Sequence, residues 1–390
     1  MPSTAYLSPQ FRTIGVASGG AAVKCEIEFI AVGDASRAGD AIVIRYGEPD
    51  NYKLMLVDGG TTEAGQKVVE HLRKHFGADV RLEHIVLTHA DGDHASGLRE
   101  VLREIPTTNL WMFIPWWHAG DALQLFAKKD WTAETLAKVI QKEYDILNEI
   151  ITLANQNNVG INCPDQGVQI GPFRVLSPRK INYVHLIPQF EKTPDPDQER
   201  LEELGIWIGK TTMLSRLLEA ARAKVEKWTT ESWTREKLRD GGITGASNES
   251  SVVLYANLEH ERILLTGDAG IHALSWAKGH AIEQGYPLQN FTFVQVPHHG
   301  SRRNVGPSIL NSLLGPIQPE GTVKGTAFVS APKDDERHPR LIVLNAFERR
   351  GYPVHGTQGQ NKIHYGGFPT RAGYSSSEKM PFSTTVEEYD

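Results

Sequence analysis

The chain carries the stretch Thr88-His89-Ala90-Asp91-Gly92-Asp93-His94-Ala95-Ser96-Gly97, in which two histidines and two aspartates occupy six residues. The short apolar run His84-Ile85-Val86-Leu87 precedes it and is typical of a core strand. Apolar residues at helical spacing follow it, at Leu98, Val101, Leu102 and Ile105. We therefore predict a strand, a tight loop and a helix, with the polar side chains on the loop.

These side chains are suited to metal binding, because imidazole and carboxylate groups together bind Zn²⁺, Mn²⁺ and iron ions. Four such groups on one short loop cannot all reach a single ion, and alternate positions point to opposite sides. His89 and Asp91 are therefore candidates for one ion, and Asp93 and His94 for a second. The alternative is a polar turn in which an aspartate caps the next helix; the two histidines argue against it.

The pattern H-x-D-x-D-H resembles the metal signature of the metallo-β-lactamase superfamily, whose common form is H-x-H-x-D-H. Asp91 replaces the second histidine, as in the subgroup typified by the hydrolase domain of the DNA-uptake protein ComEC. ComEC is a membrane protein, so the resemblance concerns only its hydrolase part. It implies an α/β fold, an αββα sandwich of two mixed sheets with flanking helices. It also implies two divalent ions, Zn²⁺ or Mn²⁺, at one sheet edge.

Further motifs follow in the order of that family, each at the end of a predicted strand. Thr266-Gly267-Asp268 ends one strand, and the resemblance implies that Asp268 bridges the two ions. In Pro297-His298-His299-Gly300-Ser301, one histidine would bind the second ion and the other would face substrate; which is which stays open. Asp58 begins the sequence Asp58-Gly59-Gly60 and would orient the metal-binding loop.

Several residues are candidates for contact with a phosphate or for catalysis. Arg302 and Arg303 directly follow the histidine pair, and guanidinium groups bind phosphate oxygens. His338 precedes Pro339 at a predicted helix start, a position suited to an anion. Asp93 is a candidate catalytic residue as well as a ligand. Ser177 stands where the ComEC-like pattern has a histidine, so the ligand set of the first ion departs from that pattern.

The resemblance predicts a metal-dependent phosphodiesterase, with a nuclease acting on DNA or RNA through a metal-activated hydroxide as the first expectation. One alternative is a phosphodiesterase acting on a small or polymer-linked ester, such as a cyclic nucleotide or a choline-phosphate ester. Another is a non-catalytic binding module of the same fold. A narrow pocket capped by the segments near 116–165 and 189–247 would favour the small ester, and an open basic groove would favour DNA.

The composition sets broad limits on the partners of this protein. The 390 residues are 40% hydrophobic and 23% charged, which is ordinary for a globular protein. The formal net charge of -6 means that binding to nucleic acid would need a local basic patch. We expect a cytoplasmic protein that makes no membrane contact, since no apolar run has the length of a membrane span and no signal pattern is visible. Cys25 and Cys163 are expected to be buried free thiols. The oligomeric state is not predicted.

We predict one hydrolase domain over residues 23–366, with helical insertions near 116–165 and 189–247 and a flexible tail over 367–390. The family-like segments are 25–115 and 248–358. A helix is predicted over 62–77 from its apolar spacing. Within the insertions, the same criterion predicts one long helix over 131–157 and another from Met213 to Trp228.

Overall fold

The computed structural model describes residues 23–33, 39–210 and 227–389. In chain order the strands are β1 (Lys24–Phe29), β2 (Ile42–Glu48), β3 (Asn51–Val57), β4 (Leu82–Val86), β5 (Thr107–Trp111), β6 (Gly160–Asn162), β7 (Gln169–Ile170), β8 (Phe173–Ser177), β9 (Trp228–Thr230), β10 (Val253–Asn257), β11 (Arg262–Leu265), β12 (Phe293–Gln295), β13 (Thr326–Val329), β14 (Val354–Gly356), β15 (Lys362–His364) and β16 (Thr385–Glu387).

The α-helices of the described residues are Thr62–Phe76, Gly92–Ala95, Leu98–Glu104, Ala119–Ala122, Ala133–Lys142, Asp145–Gln156, Lys180–Leu186, Gln198–Glu203, Ala246–Glu249, Ile271–Glu283, Pro307–Leu314 and Leu341–Arg349. Short 3₁₀ turns are formed by Pro115–His118, Leu123–Leu125, Ile187–Gln189 and His298–Gly300. Within the part of the chain that the structure describes, every helix is too short or too polar to cross a bilayer.

Two seven-stranded mixed sheets form the centre of the molecule, and their topologies correspond. The first has the order β15-β1-β2-β3-β4-β5-β6, with antiparallel pairs from β15 to β3 and parallel pairs from β3 to β6. The second has the order β14-β13-β12-β11-β10-β8-β7, antiparallel from β7 to β11 and parallel from β11 to β14. The predicted αββα sandwich of two mixed sheets is confirmed.

The sheets pack face to face through large apolar side chains. The ring centroid of Phe29, on β1, lies 5.9 Å from that of Phe293 on β12 and 5.6 Å from that of Phe328 on β13. All three rings are buried. Burying one such side chain contributes roughly 1.5–3 kcal/mol. A second cluster, which includes Leu310 and Ile342, joins the outer face of the second sheet to its helices.

The helix Thr62–Phe76 shows how local sequence specifies an element. The Thr61 side chain accepts a hydrogen bond from the Ala64 amide at the helix start, and basic residues occupy the last turn, where they favour the helix dipole. Val68 and Leu72 lie on its buried face. The helix predicted over 62–77 is therefore confirmed.

The single helix predicted over 131–157 is wrong, because the chain forms two helices with a break at Glu143-Tyr144. Tyr144 has non-helical torsions (φ -119°, ψ 59°), and its buried ring lies 6.2 Å from that of Trp116. The buried residues on either side, Ile140 and Leu147, are seven positions apart, which is also two helical turns. Apolar spacing therefore could not reveal the break.

The segment after residue 367 is packed rather than a flexible tail, which corrects that expectation. β16 pairs with β9, and Val386 is fully buried. The Glu387 carboxylate accepts hydrogen bonds from the amides of Leu341 (2.9 Å) and Ile342 (3.1 Å), so it caps the helix Leu341–Arg349. The helix predicted from Met213 lies largely outside the described residues.

The two cysteines, both predicted to be buried, differ in exposure. Both cysteines are free, but only Cys25 is buried, and Cys163 is exposed. The boundaries of the predicted domain, 23–366, stay a prediction.

The fold brings the polar motifs together at one edge. β3 ends immediately before Asp58, and β4, β11 and β12 end three residues before His89, Asp268 and His298. Loops at the carboxyl ends of parallel strands form the ligand-binding edge of layered α/β proteins. Four motifs that are distant in sequence therefore meet between the two sheets.

Candidate metal centre

The loop after β4 has the predicted strand–loop–helix form. It is packed closely: a Cβ added at Gly97 would lie 1.9 Å from Gly59 O, so only glycine allows the two loops to touch. Asp91 immediately precedes the helix Gly92–Ala95, but its side chain makes no capping hydrogen bond. Its Oδ1 instead accepts a hydrogen bond from Ser247 Oγ at 2.6 Å. The helix-cap alternative therefore does not describe Asp91.

Asp58 is fully buried, and its carboxylate is hydrogen-bonded to the loop after β4. Its Oδ1 accepts a hydrogen bond from the Thr88 amide, and its Oδ2 accepts from Thr88 Oγ1 and His94 Nδ1, all at 2.7 Å. Because an ionised carboxylate only accepts hydrogen bonds, the proton of neutral His94 is on Nδ1 and the lone pair is on Nε2. Thr88 Oγ1, having donated to Asp58, must accept from His89 Nδ1 at 3.0 Å. His89 is thus held in the same tautomer.

The histidine pair after β12 is held by main-chain and amide groups. His299 Nδ1 donates to the carbonyl oxygen of Ser330 at 3.0 Å, which leaves the lone pair of its Nε2 unbound. His298 Nδ1 lies 2.8 Å from Asn304 Oδ1, and Asn304 Nδ2 donates to the carbonyl of Asp268 at 2.8 Å. Both histidines have left-handed backbone torsions (φ 47° and 56°), an unusual conformation that turns their rings at a tight bend.

Asp268 lies at the centre of this arrangement. Its Oδ2 is 3.4 Å from His94 Nε2, 3.6 Å from His298 Nε2 and 3.8 Å from the Nε2 atoms of both His89 and His299. Burial alone would raise the pKa of Asp268. The surrounding histidines, His94 foremost, outweigh it and hold that pKa well below its usual range. Asp268 is therefore an anion that four imidazoles approach.

The donor set fits a cation. The Nε2 atoms of His89, His94 and His299 and the Oδ1 atom of Asp268 are buried and have no hydrogen-bond partner. Buried polar atoms without partners are costly, and lone pairs that face one another repel. Positive charge at this point would be stabilised. Burial lowers the pKa of His94, but the carboxylates of Asp268 and Asp58 outweigh burial and raise that pKa well above its usual value. A divalent ion at this point would satisfy the same atoms.

The predicted ligands form two overlapping groups that share His94. Ligand atoms of His89, His94 and Asp268 lie within 4.8 Å of one another, as do those of Asp93, His94 and His299. Asp91 Oδ2 is 3.7 Å from His89 Nε2. The seven residues predicted as ligands therefore lie together: His89, Asp91, Asp93, His94, Asp268, His298 and His299.

The predicted phosphate-contacting residues differ in placement. The ring of His338 stacks near His298 with centroids 6.3 Å apart, and its Nδ1 lies 3.2 Å from Asp335 Oδ2. The guanidinium of Arg302 instead donates to the Glu388 carbonyl at 2.9 Å and covers the Tyr389 ring. The expectation that Arg302 meets the substrate is therefore corrected, because the C-terminal segment takes up its side chain. Arg303 is exposed, and its amide donates to Ser301 Oγ.

Sequence reasoning missed a polar group beneath the centre. Asp40 is buried, and its Oδ2 accepts from Gln295 Nε2 at 2.7 Å. Gln295 Oε1 accepts from the amides of Thr266 (2.9 Å) and Gly267 (3.0 Å), so this pair supports the turn that presents Asp268. A glutamine inside the apolar strand Phe293–Gln295 was the available signal. Its partner is 255 residues away and could not be inferred.

Comparison with known proteins finds a family model that matches part of the chain. Residues 36–133 match the model of the metallo-β-lactamase superfamily, so this part of the chain is similar to that superfamily. The architecture of two mixed sheets with flanking helices is consistent with the metallo-β-lactamase fold. No curated protein gives a significant sequence match.

Several solved structures are similar to this chain. Zn²⁺-bound PqqB from Methylobacterium extorquens is 12% identical, with 86% of this chain and 99% of that one covered and a TM-score of 0.37. Unliganded yeast PDE1 is 12% identical, covering 87% and 99%, with a TM-score of 0.39. MEM-A1, a subclass B3 metallo-β-lactamase from a soil metagenome library, is 13% identical, covering 74% and 85%, with a TM-score of 0.29. Likenesses this low assign neither a reaction nor a substrate.

Proposed function

We propose that this protein is a metal-dependent hydrolase of phosphodiesters that binds two divalent cations. The observation that carries the proposal is the set of buried, unpartnered Nε2 atoms arranged around Asp268. A purely structural polar cluster would instead pair these atoms with hydrogen-bond donors. A binding module that had lost its chemistry would have no need to keep them unpaired.

The donor chemistry favours hard divalent cations. Three carboxylates, Asp91, Asp93 and Asp268, join the histidines, and oxygen-rich sites suit hard ions such as Mn²⁺ alongside Zn²⁺. When bound, two such ions acidify a water ligand and polarise a phosphoryl oxygen. The chain contributes the orientation: Asp58 directs the lone pairs of His94 and, through Thr88, of His89.

The partly exposed side of the centre supplies groups for the substrate. The imidazole of His298 is 29% exposed and stacks beside His338, whose Nδ1 is held by Asp335. The Nε2 atom of His338 is then left for an oxygen of the substrate or its leaving group. We assign His299, which is buried, to metal binding and His298 to the substrate side.

A nuclease remains the first expectation within this class, and a phosphodiesterase for small esters remains the alternative. The placement of Arg302 removes one argument for a phosphate-binding strip beside the histidine pair. The proposed function therefore specifies the bond that is hydrolysed, a phosphodiester, and does not specify whether the substrate is a polymer.

An activity screen tests the proposal. Chelator-stripped protein is reconstituted with Mn²⁺ or Zn²⁺ and offered bis(p-nitrophenyl) phosphate, p-nitrophenyl phosphate, single- and double-stranded DNA, RNA and a cyclic nucleotide. We expect turnover of phosphodiesters, lost in Asp268→Ala together with bound metal. A wild type that binds its metals and turns over no phosphodiester would refute the function.

A further inference from the structure

The donors of the centre fall into two unequal groups. The more buried group consists of the half-buried Asp93 and the buried His94 and His299, whose ligand atoms lie within 4.8 Å of one another, with Asp268 beside them. His94 and His299 are each locked by a hydrogen bond at Nδ1, to Asp58 and to the Ser330 carbonyl. This group offers two nitrogens and two carboxylates, enough for a closed four-coordinate site.

The other group is smaller and more open. It consists of His89, Asp91 and the shared Asp268, with His89 Nε2 at 3.7 Å from Asp91 Oδ2 and 3.8 Å from Asp268 Oδ2. The side chain of Asp91 is 39% exposed, and its Oδ1 already accepts a hydrogen bond from Ser247. Each of these features weakens its hold on a cation, since solvent screens the charge and one oxygen is engaged.

The neighbouring strand offers no strong additional donor. β8 ends at Ser177, which pairs with Val253 on β10. Val252, one residue earlier, donates its amide to the carbonyl of Thr88, so this strand end adjoins the His89 loop. Ser177 is fully buried and its hydroxyl has no partner. A neutral hydroxyl is a poor ligand compared with imidazole or carboxylate.

We propose that the two cation sites are filled in order, the buried site first and tightly, the open site second and at least about tenfold more weakly. This inference rests on the proposed metal dependence and deepens it. The open site has one nitrogen and two carboxylates, so water must complete its coordination, and a hard ion such as Mn²⁺ suits it. Those exchangeable positions are where a substrate oxygen would bind.

The test is titration of the chelator-stripped full chain with Mn²⁺, followed by calorimetry and by electron paramagnetic resonance. We expect two binding phases. The first equivalent should give the spectrum of an isolated ion. The second should give that of a coupled pair, because Asp268 lies beside the histidines of both groups. One phase with two equal sites, or a single equivalent at saturation, would overturn the proposal.

Three variants assign the phases to residues. Asp91→Asn should weaken only the second phase by about tenfold or more, and the matched change Asp93→Asn should weaken the first. Ser177→His should tighten the second phase by about tenfold by adding a nitrogen. If Asp91→Asn and Asp93→Asn weaken the same phase, the assignment is wrong. Circular dichroism identifies a variant that fails to fold. If Ser177→His fails to fold, the comparison of Asp91→Asn with Asp93→Asn still tests the assignment.

These outcomes are separate from those of the activity screen, because metal stoichiometry needs no turnover. A protein that shows two ordered phases and hydrolyses no phosphodiester would keep this inference and lose the proposed function. A protein that hydrolyses phosphodiesters and binds two ions with equal affinity would keep the proposed function and lose this inference.

Discussion

Replacing Asp58 by asparagine should change the protonation of two histidines at once. Asp58→Asn preserves side-chain size and the oxygen that accepts from the Thr88 amide. It replaces the oxygen that accepts from Thr88 Oγ1 and His94 Nδ1 with an NH₂ donor. His94 must then carry its proton on Nε2, which lies 3.4 Å from Asp268 Oδ2. Thr88 Oγ1 becomes free to donate to His89 Nδ1, so His89 changes tautomer too.

The expected loss of metal affinity follows from the number of histidines whose tautomer changes. A protonated nitrogen cannot bind a cation, and loss of one orienting partner reduces metal affinity by about 10–100-fold, or about 1.4–2.8 kcal/mol. Because two histidines are affected, we expect a loss near about 100-fold. At a Mn²⁺ concentration 100 times the wild-type Kd, binding stabilises the wild type by about 2.7 kcal/mol and the variant by only about 0.4 kcal/mol.

The assay combines Mn²⁺ titration of chelator-stripped protein with unfolding measured at that Mn²⁺ concentration and without metal. Thr88→Val is the matched control, because it removes the hydroxyl that links Asp58 to His89 and leaves the hydrogen bond between Asp58 and His94 in place. It should therefore weaken mainly the site that contains His89. The reasoning is refuted if Asp58→Asn folds normally and binds Mn²⁺ within about threefold of the wild type, a change below 1 kcal/mol.

Three further outcomes are expected. Burial raises the pKa of the Glu249 carboxyl to about 7, although hydrogen bonds from backbone amides oppose this rise. The contribution of Glu249 to the free energy of unfolding is therefore present below about pH 4.5 and lost as pH rises through 7. Urea unfolding at pH 5 and pH 8 should show a pH dependence of order 3 kcal/mol that Glu249→Gln abolishes. Arg302→Ala should lose roughly 0.5–1 kcal/mol of stability through Tyr389 and keep kcat/KM, and a tenfold loss of kcat/KM would restore the phosphate-contact idea. His338→Ala should lower kcat by about tenfold or more while elemental analysis shows unchanged metal, as expected of a group that acts beside His298 on substrate; metal loss would instead make it a structural support.

Some parts of this protein could be predicted because their signals are local. The strand, loop and helix around His89 are adjacent in sequence, and side chains on one short loop are obliged to be neighbours. The motifs at Asp268 and at the histidine pair each follow an apolar run, and strand ends of a layered fold share an edge. Sequence patterns and a family resemblance were therefore enough to predict the fold class and the residues that lie together at the candidate site.

The tertiary structure alone decided how those residues are held and which of them are exposed. Gln295 and Asp40 are 255 positions apart, and Arg302 and Glu388 are 86 apart, so no local periodicity links either pair. The break at Tyr144 preserved the apolar spacing on both sides, and β16 has its partner in a distant segment. Sequence spacing specifies which face a side chain occupies on its own element. Hydrogen-bond partners, tautomers and burial depend on what the rest of the chain places against that face.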